Sequence, residues 1–391
     1  ELMVVNDMGV QMPGGSSDLR IDTTWMDTGI DSNSIDDPSL RGYEVVHRDD
    51  IFTHRLTSED GIAVLDTPDL ILEANNPKPK DLISLIEIHG TVSQQRKLRK
   101  LVNEFADIFT LDLPSEPADL ELVTFNIDKD RWRKDPRSRQ SPRRLSTDRE
   151  IILRDWIDAS LEAGLISPAP ATPYWSQIVM VPKPDNEFRI CIDYTALNLY
   201  IEDIGWVMPH IDSIFKRIAT FKPQIFATLD STKGFYQLTL DASIRDALTF
   251  TTYMGNYLWN RAPMGPKVIP ALFQRAISQE VFPDLVHRIM EIYLDDFITW
   301  ASTEDEFVER LRTIFTRLRA KKVHLNPKKC RLGMSEVQYC GHVLNRDGVT
   351  FSSEKIQEVT AFELPKNHGE MKSFLGLVGY FRAHVSHFVD L

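Results

Sequence analysis

Cysteine is scarce. The chain of 391 residues has three, Cys191, Cys330 and Cys340. They are too few and too scattered for a disulfide framework or a zinc site, and a reducing, intracellular setting is expected. No apolar run approaches the ~18 residues of a membrane span, and no signal-peptide pattern stands at the start. Positive charge is also short: 45 Lys and Arg against 57 Asp and Glu give a net −12. Taken whole, that balance argues against a polyanionic partner. The deficit is local, however. Residues 1–97 hold 18 acidic and 8 basic side chains, so the remainder is close to neutral. What is present is ordinary for globular protein, 42% apolar and 26% charged, with length enough for two or three domains.

Residues 1–80 have little periodic pattern and are rich in Asp, Ser, Gly and Pro, which reads as a weakly structured acidic linker. Asp27-Thr28-Gly29 within them is either an ordinary turn or an aspartic-protease triplet. The second reading needs a β-rich domain and a partner triplet, for which too little chain follows. Leu98 to Phe109 reads as an amphipathic helix. A clearer one starts at the N-cap Ser146, carries Ile152, Leu153, Trp156, Ile157 and Leu161 on one stripe, and stops at Gly164. Strands follow at Gln177–Val181 and Phe188–Tyr194 about a Pro184-Asp185-Asn186 turn. Leu248–Tyr253 and Tyr257–Arg261 read as a hairpin across Met254-Gly255-Asn256. Pro263-Met264-Gly265-Pro266 opens a helical stretch from Lys267 to Val281, interrupted by Pro270, and a Gly-containing helix entry suits an anion. Thr303 caps a strong helix with Phe307, Leu311, Ile314, Phe315 and Leu318 as its apolar stripe. Val337–Leu344 reads as a strand, turned back at Asp347-Gly348. Helical patterns over Glu354–Phe362 and Glu370–Val385 close the chain. Strands joined by short turns with helices between them imply an α+β fold with a mostly antiparallel sheet.

The stretch with chemistry is Ile289 to Trp300, where two β-prone apolar runs flank Asp295-Asp296. That is how a buried hairpin with two carboxylates at its tip reads, Tyr293 and Asp295 sharing a face and Asp296 beginning the turn. An Asp-rich turn is the plain alternative. A second carboxylate ending a buried strand favours the metal reading, and Ile225 to Asp230 supplies it. Adjacent carboxylates repel and lose hydration beside a core, costs that a hard divalent cation relieves. Lys129 to Arg149 is a basic run that includes Arg131, Arg133, Arg143 and Arg144 about the aromatic Trp132. It is either a solvated loop or a surface for phosphate contacts and stacking. Lys183 and Arg189 are cations on a hairpin, which solvate it or, opposite a metal site, neutralise a triphosphate.

From about Leu98 to Leu391 the chain resembles reverse transcriptases of Ty3/gypsy-type retrotransposons. The motifs come in that family's order. Trp175-Ser176-Gln177-Ile178-Val179-Met180-Val181 leads to Arg189-Ile190-Cys191-Ile192-Asp193-Tyr194 and Ala196-Leu197-Asn198. Next come Leu229-Asp230 with Gly234-Phe235-Tyr236-Gln237, and Pro263-Met264-Gly265-Pro266-Lys267 with Pro270-Ala271 and Phe273-Gln274. The box Tyr293-Leu294-Asp295-Asp296 precedes Leu325-Asn326-Pro327-Lys328-Lys329-Cys330, Tyr339-Cys340-Gly341-His342 and Ser373-Phe374-Leu375-Gly376-Leu377-Val378-Gly379-Tyr380-Phe381.

The resemblance implies a right-hand polymerase fold. Residues 1–97 would be the acidic segment, 98–224 the fingers with an N-terminal lead-in, 225–345 the palm with an interleaved fingers hairpin, and 346–391 a partial thumb. It implies two Mg²⁺ ions, with Mn²⁺ as an alternative, on Asp230, Asp295 and Asp296. Lys329 would be the proton donor to pyrophosphate. Lys183, Arg189, Phe235, Met264, Gly265 and Lys267 would contact the nucleotide, with Phe235 as the gate against a 2′-hydroxyl. Tyr339, Cys340, Gly341 and His342 would be the primer grip. Implied partners are an RNA or DNA template with its primer, deoxynucleoside triphosphates, and the downstream RNase H and integrase regions of a parent polyprotein. No membrane is implied, and the place would be the cytoplasm, within virus-like particles. The start at Glu1 and the end before an RNase H region read as a polyprotein segment. Pro182 and Pro184 replace lysines usual beside Lys183, Thr195 stands where Arg is common, and Pro266 to Pro270 is bulkier than usual. These departures leave a second reading, a repurposed copy that binds nucleic acid without polymerising.

Overall fold

Ile225 to Asp230 is apolar on alternate sides of one strand, so a sheet built on it must be covered on both faces. A computed structural model describes residues 79–182, 188–351 and 353–379. Asp27-Thr28-Gly29, Lys183 and the Pro184-Asp185-Asn186 turn lie outside the described residues. Of the described residues, 79–351 belong to one unit and 353–379 to another. The latter carries the helices Ser353–Thr360 and His368–Gly379.

The strands of the larger unit are β1 (Glu87–Ile88), β2 (Ile166–Pro168), β3 (Ser176–Pro182), β4 (Phe188–Asp193), β5 (Ile225–Asp230), β6 (Phe250–Thr252), β7 (Gly255–Trp259), β8 (Met290–Tyr293), β9 (Asp296–Ala301), β10 (Arg331–Met334), β11 (Glu336–Tyr339), β12 (His342–Asn345) and β13 (Gly348–Phe351). They make a central sheet in the order β1-β10-β5-β9-β8, an outer sheet β2-β7-β6-β3-β4, and a three-stranded sheet β11-β12-β13. All pairings are antiparallel except β1 with β10 and β3 with β6.

Alternation along β5 and β9 divides their side chains between two cores. Ala227, Leu229, Phe297 and Ala301 join the larger core. Phe226, Ile298 and Trp300 face the other way, onto Ile211, Ile214, Phe215 and Ile218 of the Ile211–Thr220 helix and onto Val337, Tyr339 and Leu344. Those four helix positions follow the i, i+3, i+4, i+7 spacing that makes one apolar stripe. The Glu304–Ala320 helix packs on β9 with Phe307, Leu311, Ile314, Phe315 and Leu318 all buried, and Thr303 Oγ1 accepts from Glu306 N at its start. Fully burying one such side chain contributes roughly 1.5–3 kcal/mol.

Among the described residues, regular structure is present ahead of residue 98, inside the span expected to be linker. The β1 strand lies beside β10, and His89 N donates to Leu332 O at 2.9 Å. The lead-in helix covers Val92–Glu104, and Ala106–Ile108 is a separate 3₁₀ turn, where a single helix to Phe109 was expected. Ion pairs Lys97–Asp305 and Arg312–Glu104, each 2.6 Å, fasten that helix to Glu304–Ala320. Other expectations shift locally. The helical stretch expected from Lys267 to Val281 starts at Ile269 as an α-helix to Ala276 and continues as a π-helix over Ile277–Val281, with Pro270 in its first turn, where a missing N–H costs nothing. Val337–Leu344 is two strands, broken at Cys340-Gly341.

Candidate active site

β5 and β9 pair with Asp230 directly opposite Asp296. Opposed residues of an antiparallel pair project to the same face, so two carboxyl groups distant in sequence become neighbours. Asp295 sits in the turn joining β8 to β9, and Tyr293, not Asp295, pairs with Asp296. Asp296 therefore opens a strand, where sequence placed it at the start of the turn. The connection is only Leu294-Asp295, and Leu294 takes a φ of +57°. Two-residue hairpins need this left-handed start, and leucine adopts it only under constraint.

The constraint is visible. Gln274, buried on the Ile269–Ala276 helix, accepts from Leu294 N at 2.7 Å through Oε1 and donates to Ile292 O at 3.0 Å through Nε2. Ser231 N donates to Asp295 O at 3.0 Å, tying the turn to the end of β5. Asn326 N donates to Asp230 O at 2.9 Å, and Tyr339 Oη donates to Asp296 O at 3.2 Å. Every carboxylate of the trio is thus fixed through its own main chain. Sequence placed Gln274 in the Phe273-Gln274 motif but gave it no role; the signal for one was a polar residue at a buried position of a short apolar helix.

The electrostatics are those of a site short of positive charge. Burial pushes Asp230 up to about 6, with Asp295 adding repulsion against the relief given by Lys329. Burial, then Asp295 and Asp230, push Asp296 up to about 7. Asp295 is raised by burial as well. Lys329 Nζ lies 3.1 Å from Asp230 Oδ2. Burial works against that ammonium, but the carboxylates outweigh it and raise its pKa. Among the described residues no three carboxylate, imidazole or thiol groups already form an ion cage. The donor set nonetheless fits a hard divalent cation: oxygen ligands only, mutually repelling, with one ammonium among three acids.

Phe235 follows Lys233, at φ +48°, and Gly234, where an added Cβ would lie 3.1 Å from Phe273. Its ring meets Phe273 edge-on at 5.4 Å, so the helix carrying Gln274 also positions Phe235. Gly265, at φ +113°, lies against Tyr194; a Cβ there would sit 2.8 Å from Tyr194 Cδ2. Asn198 holds this loop at both ends, donating to Gly265 O at 3.0 Å and accepting from Lys267 N at 2.9 Å. Met264 is half-buried beside it, and Lys267 is exposed, paired with Asp203 at 2.6 Å. Arg189 is half-buried on β4 opposite Val181.

Tyr339 and His342 face each other across a two-residue turn in which Cys340 and Gly341 both take positive φ, +48° and +77°. Tyr339 and His342 are buried, and His342 packs on Phe215 at 4.6 Å. In the basic run, Arg131, Arg133 and Arg144 are exposed, and Arg143 pairs with Asp193 at 3.2 Å. Trp132 is 1% exposed and packs against Tyr200 at 5.9 Å. It cannot stack on an external base, which corrects the contact expected of it: the short Lys129–Lys134 helix turns Trp132 into the core while its cations face out.

Residues 181–344 match the family model "Reverse transcriptase (RNA-dependent DNA polymerase)". The chain is 31% identical over 259 residues to a retrovirus-related Pol polyprotein from transposon 297 of Drosophila melanogaster, covering 65% of this chain and 24% of that protein. It is 24% identical over 308 residues to the transposon Tf2-3 polyprotein of Schizosaccharomyces pombe, covering 78% and 23%. The chain therefore spans about a quarter of the length of the curated relatives it matches. Among solved structures, a foamy viral protease-reverse transcriptase in complex with RNA/DNA hybrid superposes with a TM-score of 0.62 at 22% identity, over 78% of this chain and 40% of that one. The same protein with double-stranded DNA gives 0.63 at 22%, over 81% and 63%. The α+β polymerase fold is shared.

Proposed function

We propose that the chain carries a reverse transcriptase domain of the gypsy/Ty3 retrotransposon type and that it extends a primer 3′-hydroxyl with deoxynucleotides on an RNA or DNA template. The observation that carries the reading is the register of β5 on β9, which sets Asp230 beside Asp296 with Asp295 in the adjoining turn. These three would hold two divalent cations, Mg²⁺ or Mn²⁺ in its place, whose chemistry when bound is to acidify the primer hydroxyl and neutralise the leaving pyrophosphate.

The chain's own groups supply the rest. Main-chain bonds to Asp230, Asp295 and Asp296 fix the carboxylates before substrate arrives, so little reorganisation is needed at the reaction. Lys329, partnered by Asp230, stands ready to give a proton to the pyrophosphate oxygen. Arg189 and Lys183 neutralise the triphosphate, while Met264, Gly265 and Lys267 line the nucleotide, Gly265 allowing the close backbone approach that a Cβ would block. Phe235, braced by Phe273, closes on the sugar edge and excludes a 2′-hydroxyl. The Tyr339–His342 turn supports the primer end, linked to the carboxylates by the Tyr339–Asp296 hydrogen bond. Arg131, Arg133, Arg143 and Arg144 contact phosphates.

The chain works as part of a longer Pol polyprotein with RNase H and integrase regions, in the cytoplasm within virus-like particles. Among the described residues no helix is long and apolar enough to cross a membrane. The bulkier Pro266–Pro270 stretch does not favour a non-polymerising copy, because Pro270 is taken up in the first turn of an intact helix. Primer extension on an RNA template with Mg²⁺ tests the assignment. Asp295→Asn is expected to abolish extension, and undiminished extension in that variant would defeat it.

A further inference from the structure

Beside the basic run the half-buried aromatic at the surface is not Trp132 but Tyr200, brought in from beyond β4 and packed on Trp132. Arg131, Lys134, Asp135, Pro136, Arg137 and Tyr200 line an open hollow of about 580 Å³, within the range of ordinary ligand sites. Its floor is built, not incidental. The buried Asp135 carboxylate accepts from Arg137 N at 2.8 Å and from Arg137 Nη2 at 2.6 Å, and from Tyr200 Oη at 2.8 Å. These donors, the Arg137 guanidinium foremost, hold Asp135 well below the usual carboxylate range. Asp135 thereby spends its charge inside the protein, fixing a guanidinium that remains half exposed. Arg131, paired with Asp128 at 3.9 Å, stands over the Tyr200 ring at 5.7 Å. Lys134 and the neighbouring Arg133 have no carboxylate partner among the described residues. The hollow therefore offers surplus positive charge around one ring edge.

We propose that this hollow seats one nucleotide of an unpaired nucleic-acid strand, its phosphate on Arg137 and Lys134 and its base or sugar against Tyr200 and Pro136. Fixed guanidinium with a mobile ammonium is the chemistry that grips a phosphodiester, and an aromatic edge beside it adds apolar contact. Placement supports the same ligand. Tyr200 lies two residues from Asn198, which holds the Gly265–Lys267 loop, so the hollow and the candidate nucleotide loop share one short stretch of chain. The proposal rests on the nucleic-acid reading above, and it adds a contact for strand that is not part of a duplex.

Fluorescence anisotropy of the full chain with a labelled twelve-nucleotide RNA and with a blunt RNA–DNA hybrid, between 50 and 200 mM salt, tests it. The variant Lys134→Ala should bind the unpaired RNA severalfold more weakly, with the slope of log affinity against log salt smaller by about 0.7, the value for one lost phosphate contact on a single strand. Affinity for the blunt hybrid should hold. Tyr200→Leu should weaken the unpaired strand with the salt slope kept, and Tyr200→Phe should retain most of the affinity. Equal binding of unpaired RNA by wild type and Lys134→Ala would overturn the proposal, as would an equal loss on both ligands. Nucleotide incorporation by the wild-type chain decides the polymerase reading separately, so the two can fail independently.

Discussion

Asp296→Asn should make the protein more stable while destroying its proposed activity. In the fold, ionising Asp296 is resisted by burial first and by Asp295 and Asp230 second, which carries its pKa from 3.8 to about 7. Each pH unit of such displacement corresponds to about 1.4 kcal/mol, so ionised Asp296 costs the cation-free native state roughly 4 kcal/mol at pH 8. Part of that returns through the neighbours, since removing one charge also eases Asp230, and about half is the expected net gain for the carboxamide. For a chain of this size, roughly 2 kcal/mol moves Tm upward by about 2–3 °C. The pH dependence has a definite sign. A carboxyl raised in the fold holds more protons native than unfolded, so its contribution is full below the usual carboxylate range and is lost as pH rises through about 6 to 7. Thermal unfolding without divalent cation should therefore show the wild type losing Tm between pH 5 and pH 8, and Asp296→Asn losing much less. A variant no more stable than wild type at pH 8, or one whose advantage persists unchanged at pH 5, would refute the electrostatic picture.

Other outcomes follow from the same geometry. Gln274→Leu leaves Leu294 N and Ile292 O without partners and frees a left-handed turn, so kcat should fall ten- to a hundredfold with KM for the nucleotide changed much less; equal kcat would remove Gln274 from this role. Phe235→Val should relax exclusion of ribonucleotides in single-nucleotide extension, and unaltered sugar selectivity would release Phe235 from the gate. Gly265→Ala forces a Cβ to within 2.8 Å of Tyr194 at φ +113°, and should raise nucleotide KM severalfold at an unchanged carboxylate site. Leu311→Ala, deep under β9, should cost about 2–5 kcal/mol in denaturant unfolding.

The chemistry was more legible in the sequence than the backbone that delivers it. Both runs flanking Asp295-Asp296, and the run ending in Asp230, announce themselves because strands buried on two faces cannot hide their apolar content. The turn between them does not, since leucine carries no preference for left-handed φ; Asp296 was accordingly placed one step early. The basic run shows the opposite failure. Its charges mark a surface, yet a helix of six residues rotates Trp132 inward, and only tertiary structure supplies Tyr200 in its place. Nor could two residues as brief as β1 signal that they close the central sheet, because their partner β10 is remote in sequence and their own pattern is too short to read.

The measurement that bears most directly on the account is Mn²⁺ electron paramagnetic resonance on the chain with a dideoxy-terminated primer, an RNA template and the matching deoxynucleotide. Two bound ions are expected in the wild type, with loss of binding in Asp230→Asn and again in Asp296→Asn. Identical Mn²⁺ titrations across the three proteins would contradict a shared cation site on β5 and β9.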